Sequence, residues 1–233
     1  MRPLQTLMII AVAVLLSPPP SSAAAADATP PRYDLPIGRQ LVYSSAGESR
    51  PTKGDGSEMS TAGTWRATVV GENPDGSRRV ILRSASSYTQ KSGGGEHKSP
   101  ERVQLGYADV FTDGRIKPNP SLGMQLDPST ILPLLPKEAG ELASGWEQVD
   151  AFRGHTDTFT AAPNQPDVAA FTFTAVRDGV INKIYLTTQK TTYHFTRDKA
   201  IITRIESEHA QDWGFHSKGT GTTKLESDTM IPS

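Results

Sequence analysis

Between Phe171 and Glu226 the chain alternates apolar and polar side chains with a period of two. Phe171-Thr172-Phe173-Thr174-Ala175 shows the rhythm, and Thr191-Thr192-Tyr193-His194-Phe195 and the run from Ile201 to His209 repeat it. Successive side chains of a strand point to opposite faces, so this rhythm makes one wall apolar and the other wet. The expected structure here is an antiparallel meander of four or five strands. Val180 to Thr188 is read as one of them, with turns at Arg177-Asp178-Gly179 and Arg197-Asp198-Lys199. His216 to Glu226 is expected as the last strand, and Gly219 and Gly221 weaken it, which suits a sheet edge.

The same grammar runs upstream. Arg39 to Ser44 reads as a first strand, and Thr64 to Val70 with Ser77 to Tyr88 as a hairpin. Asn73-Pro74-Asp75-Gly76 joins the hairpin: proline fixes φ and Gly76 supplies the positive φ of a short turn. Trp65, Ala67 and Val69 share one face of the hairpin; Val80 and Leu82 oppose Arg79, Ile81 and Arg83 on the return strand. Val103 to Phe111 is a further strand with Val103, Leu105 and Tyr107 on one face, and Trp146 to Phe152 and His155 to Thr160 are two more. Ser45 to Gly56 and Gln90 to Pro100 are polar and glycine-rich and are expected as mobile loops. Asp-Gly turns recur at Asp55, Asp75, Asp113 and Asp178. The fold class is therefore all-β: an antiparallel meander forming a curled sheet, a half-barrel or a sandwich.

One stretch breaks the rhythm. The crossover 117–145 opens with prolines at 118, 120, 128, 133 and 136. Asp127 can cap one short helical turn near 128–132, with Pro128 at its first position and Pro133 ending it. Leu122, Met124, Leu126, Ile131, Leu132, Leu134 and Leu135 then cover one end of the sheet, either as a core plug or as a lid over a ligand cavity.

Residues 1–28 have the layout of a secretory signal peptide: Arg2, an apolar run from Leu7 to Leu16, then small residues. The run is shorter than the roughly 20 residues of a membrane span. Cleavage after Ala26 or after Ala28 fits equally, leaving 29–233 as one β-rich domain with no membrane span. The exported chain is expected in the periplasm or outside the cell. Cysteine is absent, which excludes disulfides, thiol nucleophiles, Cys-based metal sites and a lipid attached to cysteine. The formal net charge is −1 and no Lys/Arg run exceeds Arg78-Arg79, which argues against nucleic acid and a polybasic membrane segment.

Tests for known chemistries fail on spacing. Glu206 and Glu208 point to one face of a strand and His209 to the other, and His155 with Asp157 supplies only two ligands, so no metal is expected. Lys218-Gly219-Thr220-Gly221-Thr222-Thr223-Lys224 lacks the spacing and the following helix of a phosphate loop. A nucleophile elbow and a calcium loop are both missing. No cofactor is expected. The aromatic turn Trp213-Gly214-Phe215 is the foremost candidate contact, and Trp213 and Phe215 are joined by Trp146, Leu134 and Leu135 as residues for a ligand or partner.

Three patches resemble uncharacterised exported β-rich bacterial domains: Tyr33, Leu35, Gly38, Leu41 and Tyr43; Leu132-Pro133 to Pro136 with Gly145-Trp146; and Tyr193, Phe195, Asp198 and Ile201-Ile202. The resemblance implies export and an antiparallel sheet, and no catalytic residue. The overall layout also looks like the half-barrel carriers of periplasmic lipid and lipoprotein. The leading expectation is a non-enzymatic exported domain binding a lipid-like ligand or an envelope protein on the concave side of a curled sheet. The alternatives are an extracytoplasmic hydrolase and a purely structural envelope protein.

Overall fold

A computed structural model describes residues 29–54, 56–117, 126–149, 156–162, 170–181, 185–213 and 215–232. The signal-peptide reading, Asp55, Leu122, Met124 and His155 lie outside the described residues. The strands are β1 Arg39–Pro51, β2 Glu58–Glu72, β3 Arg78–Ser92, β4 Gly95–Lys98, β5 Arg102–Val110, β6 Ile116–Lys117, β7 Trp146–Val149, β8 Thr156–Ala161, β9 Ala170–Ile181, β10 Tyr185–Thr196, β11 Ile201–Trp213 and β12 Phe215–Met230. They form one open antiparallel sheet in the order β6-β5-β3-β2-β1-β12-β11-β10-β9-β8-β7, with β4 pairing β3. Consecutive strands pair except β4 with β5, since β3 pairs β5, and β6 with β7, which form the two edges; β1 pairs β12 and joins the two halves.

The alternation accounts for the curl. One face of β1, β2, β3, β9 and β10 is apolar over part of its length: Leu41 and Tyr43, Ala67 and Val69, Val80 and Leu82, Phe171 and Phe173, Tyr193 and Phe195 all join one buried cluster. Residues from both halves of the sheet meet in that cluster, so the sheet bends around it. Its edge strands β6 and β7 come to line the same cleft, through Ile116 and Val149.

The proline-rich crossover fills the bend. Asp127 accepts from the Ser129 amide at 2.8 Å and caps a 3-10 turn at Pro128–Thr130. Ile131, Leu132 and Leu135 are then fully buried in the cluster. Prolines lack the donor a strand needs, so the carbonyls of this segment are held from outside it. The Tyr33 hydroxyl donates to the Pro133 carbonyl at 2.8 Å, and the Trp146 indole to that of Leu134 at 2.9 Å. Arg32 donates to the carbonyls of Pro136 and Lys137, each at 2.7 Å. The Leu135 amide donates to the Asp113 carbonyl at 2.8 Å. A second clasp closes the chain ends: the buried Arg39 guanidinium binds both Asp228 oxygens, at 2.9 and 2.7 Å, and the Lys199 carbonyl at 2.8 Å.

Several local expectations are corrected. Arg177-Asp178-Gly179 is not a turn: β9 runs through it, because its register with β10 continues to Ile181 opposite Tyr185. The two strands expected at Val180–Thr188 and Thr191–Phe195 give way to one, β10. Ser45 to Pro51 is not a loop but the second half of β1, paired with β12 throughout and with β2 as far as Ser49. Ser92 and Gly95 close a β3–β4 hairpin where a loop was expected. β12 is not an edge, since it lies between β1 and β11. A short helix, α1 Glu141–Ser144, was not foreseen. The hairpin at Asn73–Gly76 and the turn at Asp113-Gly114 stand as read, with φ of 82° at Gly76 and 85° at Gly114.

Candidate functional site

Register sorts the inner face into rows across the sheet. The lowest described row is aromatic, with Phe171 opposite Phe195. Above it Phe173, Tyr193, Ile205, Thr223, Ser45 and Gly63 stand in line. The next row is Phe159, Ala175, Thr191, Ser207, Gly221 and Gly47. Gln189, His209, Gly219, Ser49 and Met59 follow. The inner face thus grades along the strands from large and apolar to small and polar.

The described part of the crossover, 126–145, packs on the apolar rows through Ile131, Leu132 and Leu135. Two hollows of about 160 and 270 Å³ open beside Thr130. Both are lined by Thr130, Ile205, Ser207 and Thr223, so they are two arms of one groove. One arm reaches Phe159, Tyr193 and the Asp157–Arg177 pair; the other reaches Trp65 and Met59.

Small residues keep the groove open. A Cβ on Gly221 would stand 2.7 Å from the Ser207 hydroxyl oxygen. A Cβ on Gly219 would stand 2.3 Å from the His209 ring and 2.5 Å from the Glu48 carbonyl oxygen. The imidazole therefore lies over Gly219 in space that only glycine leaves, and its burial lowers the His209 pKa. At the other mouth Arg177 holds Asp157 by two hydrogen bonds, at 2.6 and 2.7 Å, with both side chains largely buried. Asp157 also borders a separate cleft of about 300 Å³ between the two sheet edges, with Arg115, Ile116, Gln148 and Val149.

The residues singled out from the sequence are dispersed. Trp146 belongs to the core: its ring stacks on Phe159 at 5.4 Å and 6°, and touches Phe173 at 5.5 Å. Leu135 is buried beside it, and Leu134 is half-buried at the wall of the edge cleft. Trp213 ends β11 and Phe215 opens β12, paired with one another, and their side chains lie outside the described residues. The groove lining itself (Thr191, Ser207, Gly47, Gly221) was missed, because small polar residues carry no signal until register aligns them.

The acidic residues weighed as metal ligands do not converge. Glu206 faces outward, where His194 at 3.2 Å and Arg204 bind it and lower its pKa. Glu208 lies on that outer face with Lys190, whereas Asp157 faces the groove. Among the described residues no group of three or more His, Asp or Glu is placed to hold a metal ion. Lys218 to Lys224 is a mid-sheet strand segment rather than a loop.

No protein-family model matches the chain, and no curated protein matches it. A solved structure of lipovitellin, described as "lipid-protein interactions in lipovitellin", is similar over 86% of this chain, with a TM-score of 0.53 and 12% identity. The chain spans 26% of that structure's length. At this identity the likeness shows the fold.

Proposed function

We propose that this chain is an exported, non-enzymatic domain of the cell envelope that binds an apolar, lipid-like ligand in the inner groove. The observation that carries the reading is the groove itself, floored by Phe159, Tyr193, Ile205 and Trp65 and rimmed by hydroxyls and paired charges. Such a surface suits an amphipathic molecule, with its chain on the floor and its polar end at the Asp157–Arg177 mouth. Singly the hollows, about 160 and 270 Å³, fall below the ~300–1,000 Å³ of small-ligand sites, and only together do they reach its low end, which favours one acyl chain over several. The fold is shared with lipovitellin, a protein whose structure is described in terms of lipid–protein interactions. The signal-like layout of residues 1–28 supports the export part of this reading.

Native mass spectrometry of protein purified from its own host tests the reading. The expected spectrum shows the chain with an added lipid mass that organic extraction removes. A bare chain mass at every collision energy, from protein never exposed to detergent, overturns it.

A further inference from the structure

The outer face of β2, β3 and β5 carries a combination that folding does not explain. Arg66 stands directly opposite Arg83, and Arg83 directly opposite Leu105. Like charges directly opposite on neighbouring strands destabilise a sheet. Among the described residues neither arginine has a hydrogen bond or an ion pair to offset this. Beside them Val103, Leu105 and Tyr107 are 50%, 57% and 37% exposed, and Ile81 pairs with Tyr107. The outer positions from Thr64 to Thr68, from Ile81 to Ala85 and from Val103 to Tyr107 hold no carboxylate. The patch consists of aliphatic side chains, one tyrosine and two arginines, and among the described residues none of these side chains lines any of the five main hollows. Among the described residues the outer edge of β5 is also unpaired from Arg102 to Ala108.

We propose that this patch docks the protein on an anionic lipid surface. The chemistry matches each part. Leucine and valine enter the acyl boundary, tyrosine sits at the headgroup level, and arginine meets anionic headgroups while its stem lies along the apolar surface. A protein partner that binds tightly anchors side chains in pockets, and none of the five main hollows among the described residues is lined by this patch. The two arginines come from different strands, so no basic run marks them in the sequence; pairing of β2 with β3 assembles them.

The test is co-sedimentation of protein from its host with vesicles of phosphatidylglycerol or of phosphatidylcholine. Any contribution of the N-terminal residues is common to all variants and cancels. Each arginine near an anionic surface accounts for about a fivefold change in affinity, so Arg66→Gln with Arg83→Gln lowers binding to phosphatidylglycerol about thirtyfold. Leu105→Ser weakens it further, and 0.5 M salt mimics the arginine loss. The melting temperature of the double variant stays level or rises, since a repulsive pair is gone. Equal binding by wild type and double variant overturns the proposal, as does wild-type binding to phosphatidylcholine of equal strength or to neither vesicle. Arginine-dependent capture of polyglutamate without vesicle binding also overturns it, in favour of an acidic polypeptide.

Discussion

Trp146 separates a fixed plug from a moving lid. Its ring stacks on Phe159 and touches Phe171 and Phe173, and its N–H holds the Leu134 carbonyl at 2.9 Å. Core Trp→Ala changes cost about 3–5 kcal/mol, a large part of the roughly 5–15 kcal/mol that holds a domain together. Trp146→Phe is the more informative change. It keeps an aromatic ring in the stack and removes the donor, leaving a half-buried carbonyl unpaired at a cost of about 1–3 kcal/mol. Taking about 2 kcal/mol, and about 2–4 °C per kcal/mol for a chain of this size, Tm falls by about 4–8 °C. Thermal melts followed by near-UV circular dichroism read this directly. Affinity for palmitate, measured by calorimetry on the same variant, stays within about twofold, because Trp146 does not line the groove. An unchanged Tm with abolished palmitate binding refutes the reasoning and makes Trp146 a ligand contact.

Three further outcomes follow from named contacts. Arg39 holds the Asp228 carboxyl below its ordinary value of 3.8, so the pair stabilises above that pH and the contribution is lost as pH falls through the lower folded value. Asp228→Asn is therefore less stable than wild type at pH 7, by about 1–3 kcal/mol in urea titrations, and the gap closes as pH falls through the lowered folded value; a gap independent of pH contradicts the assignment. Gly219→Ala destabilises by about 1–3 kcal/mol through the clash with the Glu48 carbonyl, although alanine in place of a strand glycine is ordinarily favourable; a gain in urea midpoint counts against the close approach of β1 and β12. Gly221→Val fills the space beside Ser207 and is expected to cost palmitate binding at least tenfold while the fold persists; full affinity in calorimetry removes the groove from consideration.

The sheet was legible because burial on one face imposes a period of two, and the Phe171–Phe195 and Ile201–His209 stretches obey it. The errors have a common cause. Asp178-Gly179 carries turn chemistry, yet ladder bonds to β10 on one side and the Arg177 grip on Asp157 hold the strand straight through it. Gly219 and Gly221 resemble edge weakness in one dimension; in three they give room to His209 and Ser207 in mid-sheet. Leu105 shares a face with Val103 and Tyr107 as read, but alternation alone cannot say which wall is wet, and here the apolar set faces outward. The groove was illegible for a similar reason. Its residues are ordinary singly, and only the registers of β1, β10, β11 and β12 bring Thr191, Ser207, Gly221 and Gly47 into one row.

The absence of native cysteine makes a labelling experiment direct. Ser207→Cys places a lone thiol at the junction of the two arms, and Ser60→Cys places one on the exposed outer face. Maleimide reaction rates of delipidated protein, with and without saturating palmitate, test the ligand groove. Protection of position 207 by about tenfold or more with no change at position 60 is the predicted result. Equal rates at position 207 with and without palmitate contradict it.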